Sequence, residues 1–349
     1  MNVRYEFVNY GEVIEPRENT LVLDVGMNMV PGVIDHHHPK AEAECAASLI
    51  VKHPDLVLDH LLKADGAAPA SLTVVTHRLP DFDASASVFL ALKLLETKTV
   101  DRSMERLAGY ARMADSASFP KSIDLAATPY AILRALSSVI HEEEDEASRR
   151  RMDEGLRMMS FLYDKAELGL DIVENRTLFA GIDRFERAMR RIESDYFRYL
   201  EDRERGRTLR LWLPHPSEKD RKELDGLAVS KPRSFLFKEW ARRDIVHSSL
   251  RKGYVFVMSG SGRDRFLLGV DPEEGVTLEG LAVRLDLQEG EKRSRLGMAA
   301  SSPWYGGDCA FFKRRIVASP REGTVLSHEE VLEAVLEFGA RPDRGLRRA

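Results

Sequence analysis

The first hundred residues alternate short apolar runs with segments of helical patterning, and this alternation limits the fold more than any other feature. Three runs are typical of buried strands: TLVLDVG at 20–26, PGVIDHHH at 31–38 and SLTVVTH at 71–77. Residues 41–53 and 83–97 have the periodicity of helices. Strands that alternate with helices predict an α/β domain in which helices flank a mainly parallel sheet.

Residues 101–205 have an almost wholly helical pattern. Apolar residues recur at steps of three and four from Ile182 to Tyr199, which predicts a long amphipathic helix that serves as a linker or a dimer helix. The polar stretch 201–208 indicates a hinge. We therefore predict three parts: an α/β domain at 1–135, a helical segment at 136–205 and a C-terminal domain at 206–349.

The C-terminal domain has a different pattern, with short strand-like runs separated by turns. The runs are TLRLWLP at 208–214, GYVFVMSG at 253–260, DRFLLGV at 264–270 and LAVRLDL at 281–287. Residues 327–339 read as a closing helix that begins at Ser327. This pattern predicts a smaller α+β domain.

Composition narrows the class of protein. The chain has 349 residues, of which 43% are hydrophobic, so it can bury a sizeable core. Its net charge of −5 argues against a protein devoted to coating nucleic acid or anionic membrane. Cys45 and Cys309 are too few for a disulfide framework, which fits a reducing compartment. The sequence starts without a secretory h-region and has no run of ~18 apolar residues, so we expect a cytoplasmic protein without a membrane segment.

Each of the three predicted strands ends in acids or histidines. The residues concerned are Asp24, Asp35, His36, His37, His38, His77, Asp81 and Asp83. In open α/β sheets, ligands bind beyond the carboxyl ends of the strands, where these side chains would meet. Carboxylates that lie close together repel each other and raise each other's pKa, and a bound divalent cation offsets this repulsion. Mixed oxygen and imidazole ligands favour Mn²⁺, with Mg²⁺, Co²⁺ and Fe²⁺ as alternatives.

The spacing of His77, Asp81 and Asp83 leaves two arrangements open. In an extended segment, Asp81 and Asp83 would point the same way. In a loop, they could serve two adjacent metal ions. Two metal ions ~3.5–4 Å apart can activate a bridging water and stabilise the leaving oxygen of a phosphoryl displacement.

These motifs resemble those of the DHH phosphoesterase superfamily, which includes family-II inorganic pyrophosphatases, RecJ-type exonucleases and oligoribonucleases that also dephosphorylate pAp. Asp35-His36-His37 resembles the signature that names the superfamily. The stretch HRLPDFDASAS, from His77 to Ser87, is similar to its other strong motif, H-x-x-PD-x-DA-x-x-S. Asp24 resembles the bridging aspartate, and LAGYARMADSASF at 107–119 resembles the segment with the last metal aspartate, here Asp115. The resemblance covers about the first 120 residues.

The resemblance implies a dinuclear site with two Mn²⁺ per chain, or Mg²⁺ or Co²⁺ in their place. One ion would be held by His77, Asp81 and Asp24. The other would be held by Asp83, His36, Asp115 and the shared Asp24. His37 would face the substrate phosphate. The order of the motifs differs from that of the family, in which the His-x-x-x-Asp-x-Asp strand comes first, so the chain resembles a permuted member.

The stretch GMAASSPWYGGDCAF at 297–311 is similar to the glycine-rich substrate loop of the C-terminal domain in this superfamily. Gly306 and Gly307 could let backbone N–H groups approach a phosphate. Trp304 or Tyr305 could stack on a base, and Arg314 lies in a basic run that would suit a phosphate-rich ligand. The alternative is a purely structural turn.

Together these features predict a hydrolase of phosphoester bonds that acts on a small nucleotide or a short oligonucleotide. A metal-bridging hydroxide would attack phosphorus, and His37 and Arg78 would stabilise or protonate the substrate. Two alternatives stay open: a nucleotide or phosphate sensor on the same scaffold, and a mononuclear metal hydrolase of an ester or amide. The net negative charge disfavours long duplex DNA as a partner. The amphipathic helix is compatible with a homodimer.

Overall fold

The computed structural model describes residues 1–38, 41–63, 66–142, 144–216, 221–261 and 264–341. The chain divides into two compact units. The N-terminal unit comprises Met1–Glu193 and Cys309–Phe311, and the C-terminal unit comprises Ser194–Asp308 and Phe312–Ala349. The boundary between the units lies inside the long helix Asp183–Arg205, between the two boundaries predicted from the sequence.

The N-terminal unit is built on a five-stranded sheet. Its strands, in spatial order, are β1 (Asn2–Val8), β5 (Ser71–His77), β2 (Thr20–Leu23), β4 (Val33–Ile34) and β3 (Met29–Val30). Every neighbouring pair is parallel except β3 and β4, which are antiparallel. Strands β2, β4 and β5 coincide with the three predicted runs, whereas β1 is not among the predicted strands. The short return through β3 explains how two parallel neighbours, β2 and β4, are joined without a helix.

The described residues of this part of the chain form seven α-helices, with β5 between the second and the third. They are α1 (Ala46–Lys52), α2 (Asp55–Leu61), α3 (Phe82–Thr97), α4 (Arg102–Asp115), α5 (Pro129–Ser137), α6 (Glu144–Glu167) and α7 (Asp183–Arg205). Helix α3 packs against α1, α4 and α6, and it is buried on almost every side. Apolar and small residues all around α3 make this burial favourable. The central position of α3 fixes the acids at its N-terminus relative to the sheet.

The C-terminal unit has a five-stranded sheet of its own. The spatial order is β10 (Ile316–Ala318), β9 (Arg265–Val270), β8 (Phe256–Ser261), β7 (Lys222–Val229) and β6 (Arg207–Leu213). Strands β7 and β8 are parallel, and the other neighbours are antiparallel. Helices α8 (Phe237–Arg243), α9 (Leu281–Arg295) and α10 (His328–Phe338) complete the unit. Phe256, Leu268 and Leu332 belong to its main apolar core.

The strand predicted at 281–287 is wrong, because these residues form the first two turns of α9. The apolar residues at 281, 283, 285 and 287 alternate, which imitates the pattern of a strand. In the structure, Leu281 and Leu285 are buried, whereas Val283 and Leu287 are 64% and 66% exposed. Burial therefore repeats every four residues, as one face of a helix requires.

The predicted hinge at 201–208 is the end of α7 and the start of β6. The closing helix is confirmed as α10, with a capping box between Ser327 and Glu330 at its start. Both units combine helices with a mixed sheet, which confirms the α/β fold class at that level. Among the described helices, none combines the length and apolar character needed to cross a membrane.

Candidate metal centre

The polar residues that follow β2, β4 and β5 lie together at the carboxyl end of these strands, on one side of the N-terminal sheet. These strands are parallel, so their carboxyl ends point the same way. Asp24 follows β2, Asp35 and His36 follow β4, and His77 ends β5. The convergence predicted from the sequence is present in the structure, at the position where α/β sheets bind ligands.

The loops at this edge contain residues in the left-handed backbone region. Asp24 has a φ of 60°, and Leu79, in the turn after β5, has a φ of 53°. Gly26 has a φ of 108°, and a Cβ there would lie 2.9 Å from Val33 Cγ1, so both conformation and space require glycine. Left-handed residues other than glycine are uncommon and cluster at functional sites.

Asp81 and Asp83 sit at the N-terminus of α3 and serve different neighbours. Asp81 is the N-cap residue of α3, and its Oδ1 accepts a hydrogen bond of 3.1 Å from the Ala84 N–H. Asp83 lies in the first turn, and its oxygens accept bonds of 2.9 and 3.1 Å from the Ala46 and Ala47 N–H groups at the start of α1. The extended arrangement considered for these acids is therefore wrong, and the turn separates their carboxylates.

The first group of potential ligands comprises Asp24, His77 and Asp81. His77 Nε2 lies 3.3 Å from Asp24 Oδ2 and 3.8 Å from Asp81 Oδ1. Burial acts to lower the pKa of His77, but hydrogen bonds with Asp24 and Asp81 outweigh it and raise that pKa to about 10. His77 Nδ1 donates a 2.9 Å hydrogen bond to the Arg78 carbonyl, which leaves Nε2 directed at the carboxylates. A proton held on Nε2 would stand where a cation could bind.

The second group comprises His36, Asp83 and Asp115. His36 Nδ1 lies 3.5 Å from Asp83 Oδ2, and His36 Nε2 lies 3.6 Å from Asp115 Oδ2. Asp115 is the last residue of α4. Asp24 Oδ1 lies 3.6 Å from His36 Nδ1, so Asp24 stands between the two groups.

These groups fit a divalent cation. Burial and the charge of Asp83 raise the pKa of Asp24 to about 7, and burial and the same charge raise the pKa of Asp115 well above its usual range. Within the described residues, no hydrogen bond reaches the buried atoms Asp24 Oδ1 and Asp115 Oδ2. Separations of 3.5–3.6 Å from His36 are too long for hydrogen bonds. Crowded, buried carboxylate oxygens beside imidazole nitrogens are the environment in which a bound cation removes an electrostatic cost.

Asp35 and His37 form a separate pair beside these groups. Asp35 Oδ1 accepts a 2.8 Å hydrogen bond from His37 Nδ1, and Asp35 Oδ2 accepts one of 2.8 Å from the Met27 N–H. Burial acts to raise the pKa of Asp35, but the hydrogen bonds and charge of His37 outweigh it and lower that pKa to about 2. Asp35 thus orients His37, whose side chain is partly exposed. His37 also lies close enough to Asp24 and His36 to serve as a ligand with them.

Arg78, the other predicted catalytic residue, follows β5. Its guanidinium lies 3.4 Å from the Asp145 carboxylate on α6. Its carbonyl oxygen is the acceptor for His77 Nδ1, as described above. The backbone of Arg78 therefore orients a potential ligand, and a role of its side chain with substrate stays a prediction.

The sequence patterns miss Tyr10, which lies two residues beyond β1. Its hydroxyl oxygen is 2.9 Å from His77 Nε2, and its ring stacks on the His77 ring at a centroid distance of 4.1 Å. The link depends on the parallel register of β1 and β5, in which Val8 lies opposite His77. No local spacing in the sequence records that register.

Several residues of the predicted substrate loop have a structural role in the C-terminal unit. Trp304 is buried in the core of the C-terminal unit, so the prediction that it stacks on a base is wrong.

The glycine at position 307 also has a structural reason. Gly307 has a φ of 62°, and a Cβ there would lie 2.9 Å from the Ile316 carbonyl oxygen, so any other residue would be strained. Arg314 pairs with Glu279 and Asp308. Tyr305 forms an isolated bridge with Ala318, and Gly306 follows it. Phosphate or base binding by these residues stays a prediction.

The N-terminal unit thus gathers carboxylates and imidazoles from several segments into overlapping triads. The triads are Asp24–His36–His37, Asp24–His77–Asp81 and His36–Asp83–Asp115, each with its ligand atoms within 4.8 Å of one another. Such buried groups could hold a metal ion. Compared with protein-family models, with curated proteins and with solved structures, the chain gives no significant match.

Proposed function

We propose that this protein is a metal-dependent phosphoesterase of the DHH type that hydrolyses a small nucleotide or a short oligonucleotide. One observation supports this proposal above the others. The residues that the resemblance marks as ligands fall into two adjacent groups, Asp24–His77–Asp81 and His36–Asp83–Asp115, with Asp24 between them. These residues come from separate segments between positions 24 and 115, so their proximity is not a consequence of short sequence spacing.

The proposal includes two divalent cations per chain, with Mn²⁺ as the first choice. When bound, they would supply positive charge at the phosphoryl oxygens and an activated water as nucleophile. The residues of the chain would hold them through carboxylate and imidazole atoms, a donor set suited to Mn²⁺, Mg²⁺ or Co²⁺. Asp24, as the shared carboxylate, would fix the spacing of the two sites.

His37 would contact the substrate. Asp35 Oδ1 accepts a 2.8 Å hydrogen bond from Nδ1 and so orients the ring, and Nε2 would be the atom that meets a phosphoryl or leaving-group oxygen. In that position the ring would exchange a proton with the leaving group. Asp35 would thus position a catalytic residue without touching the substrate itself.

The test is a hydrolysis screen with Mn²⁺ or with chelator present. Pyrophosphate, pAp, cyclic dinucleotides, dinucleotides and bis-p-nitrophenyl phosphate form the panel. We expect Mn²⁺-dependent hydrolysis of at least one compound and two Mn²⁺ per chain by isothermal titration calorimetry. His77→Ala should lower both the Mn²⁺ stoichiometry and the rate, the latter by about 100-fold or more, since the metal centre supplies most of the transition-state stabilisation.

The matched control is His53→Ala. His53 lies on the surface at the end of α1, where its ring pairs with Glu42 at 2.7 Å. We expect this variant to keep wild-type stoichiometry and rate. Two bound Mn²⁺ without hydrolysis of any compound would support a sensor, and one Mn²⁺ with ester or amide hydrolysis would support a mononuclear hydrolase. Either result would contradict the proposed function.

A further inference from the structure

Tyr10 reaches the candidate metal centre from a strand that carries none of the recognised motifs. Strands β1 and β5 are parallel, and their register places Val8 opposite His77. The chain turns directly after β1, and Tyr10 lies in that turn. The end of β1 therefore delivers an aromatic side chain to the same edge of the sheet as the ligands.

The ring of Tyr10 is held between two imidazoles. It stacks on the His77 ring at a centroid distance of 4.1 Å and an interplanar angle of 22°. It also meets the His37 ring edge-on, at 5.7 Å and 68°. Even so, Tyr10 is 48% exposed. The hydroxyl contacts a ligand nitrogen, and about half of the residue is open to solvent, so a bound substrate can reach this residue.

The partner of the Tyr10 hydroxyl is the atom of His77 that a cation would take. The hydroxyl oxygen lies 2.9 Å from His77 Nε2. The other ring nitrogen, Nδ1, donates to the Arg78 carbonyl and is already committed. A cation held by Asp24, Asp81 and His77 would use the Nε2 lone pair, which ends the hydrogen bond with Tyr10. Because stacking fixes the ring, the hydroxyl stays beside the ligands, where its O–H can donate to another acceptor.

We infer that Tyr10 donates a hydrogen bond to a phosphoryl oxygen of the substrate in the metal-loaded protein, an inference that rests on the proposed function. A phenol is a neutral donor at neutral pH, and phosphoryl oxygens are strong, charged acceptors. The edge contact with His37 brings the two side chains together beside the centre. Tyr10 and His37 together form the part of the site that binds the phosphoryl group of a phosphomonoester or phosphodiester.

The experiment compares Tyr10→Phe with Tyr5→Phe in the full chain loaded with Mn²⁺. Tyr5 lies on β1, opposite Val74 and away from the strand end, so the control removes a tyrosine hydroxyl from the strand that precedes Tyr10. Calorimetry measures the Mn²⁺ stoichiometry and then the affinity for inorganic phosphate, the probe for the phosphoryl group. Steady-state kinetics give kcat and KM for the substrate found in the screen.

We expect Tyr10→Phe to keep the Mn²⁺ stoichiometry and the melting temperature while its affinity for phosphate falls about 10- to 100-fold, the usual effect of one hydrogen bond to a charged group. kcat/KM should fall by a similar factor, and Tyr5→Phe should match the wild type. Wild-type phosphate affinity in Tyr10→Phe would overturn the inference and leave the proposed function standing. Loss of Mn²⁺ in that variant would also overturn it, because Tyr10 would then support the ligands. A wild-type protein that binds neither Mn²⁺ nor phosphate would overturn both.

Discussion

Single residues in this site carry more than one role, and Asp24 is the clearest case. It adopts a left-handed backbone conformation, it is buried, and it lies within 3.6 Å of ring nitrogens from two different strand ends. Asp tolerates this conformation better than most residues, and it also supplies two oxygens that can serve two neighbours. The local strain and the raised pKa are both costs that a bound cation would offset.

Asp35 offers a test at the same scale. Asp35→Asn keeps an oxygen that can accept from the Met27 N–H, but it removes the charge that holds His37. We expect Mn²⁺ binding to be retained and hydrolysis to fall about 10- to 100-fold, as is usual when the partner of a functional histidine is changed. Calorimetry and steady-state kinetics measure the two properties. A variant that loses Mn²⁺ and activity together would show that Asp35 supports the ligands themselves and not His37.

The two histidine motifs were predictable because their spacing is local. His77, Asp81 and Asp83 come within seven residues of one another, so a strand end followed by a turn must keep them close. Tyr10 could not be found in this way, because its position depends on the pairing of β1 with β5 across 67 residues of sequence. An aromatic residue beside glycines occurs both in core turns and in binding loops, so the local sequence does not show that Trp304 belongs to the core.

Among the structural elements, helix α1 depends on a residue of another helix. Its N-cap residue, Cys45, makes no side-chain capping bond, and the Asp83 carboxylate accepts from Ala46 and Ala47 instead. A carboxylate at a helix N-terminus satisfies unpaired N–H groups and favours the helix dipole. Asp83 therefore joins α3 to α1.

The structural role and the proposed metal-binding role of Asp83 can be measured separately. In chelator, we expect Asp83→Ala to lower the free energy of unfolding by about 1–3 kcal/mol, since the buried Ala47 N–H loses its acceptor and the Ala46 N–H keeps only His36 Nδ1, at 3.2 Å. Asp83→Asn should lose less, because its amide oxygen still accepts one bond. Both variants should show a reduced gain in stability when Mn²⁺ is added. Thermal unfolding with and without Mn²⁺ measures both quantities; a full Mn²⁺ gain in Asp83→Asn would mean that this residue only caps α1.

Helix α9 gives a second prediction for an element. A strand over 281–287 would place Leu285 and Leu287 on the same face, whereas the helix buries Leu285 and exposes Leu287. Leu285→Gln should destabilise the protein by about 2–5 kcal/mol, and Leu287→Gln should change its stability by about 0.5 kcal/mol or less. Urea denaturation of the two variants measures the difference. Equal losses in both variants would favour the strand.

At the scale of the whole molecule, the alternation of strands and helices was enough to predict an α/β fold and the edge of the sheet at which polar residues meet. The sequence pattern does not predict strand β1, because β1 is an edge strand whose side chains are largely half-buried, without the continuous apolar run of β5. The α9 error had the opposite cause, since four alternating apolar residues matched a strand while only two of them face the core. Patterns over a few residues report burial, and burial alone does not decide between a strand and a helix.

Metal removal tests whether the site contributes to the stability of the folded chain. A ligand that binds only the folded state stabilises it by about 2.7 kcal/mol at one hundred times its dissociation constant. We therefore expect Mn²⁺ to raise the melting temperature of the chelated protein, with a gain that grows as the Mn²⁺ concentration increases. Calorimetric unfolding over a Mn²⁺ series measures this gain.

The control for that series is Asp24→Asn, which preserves size and tolerance of the left-handed conformation but removes the shared charge. Without metal, this variant should be at least as stable as the wild type, because a neutral amide replaces a buried carboxyl whose pKa is raised by its surroundings. With Mn²⁺, the gain should be smaller than in the wild type. If both proteins gained equally, the added Mn²⁺ would be acting elsewhere on the chain, and the carboxylates and imidazoles around Asp24 would owe their proximity to folding alone.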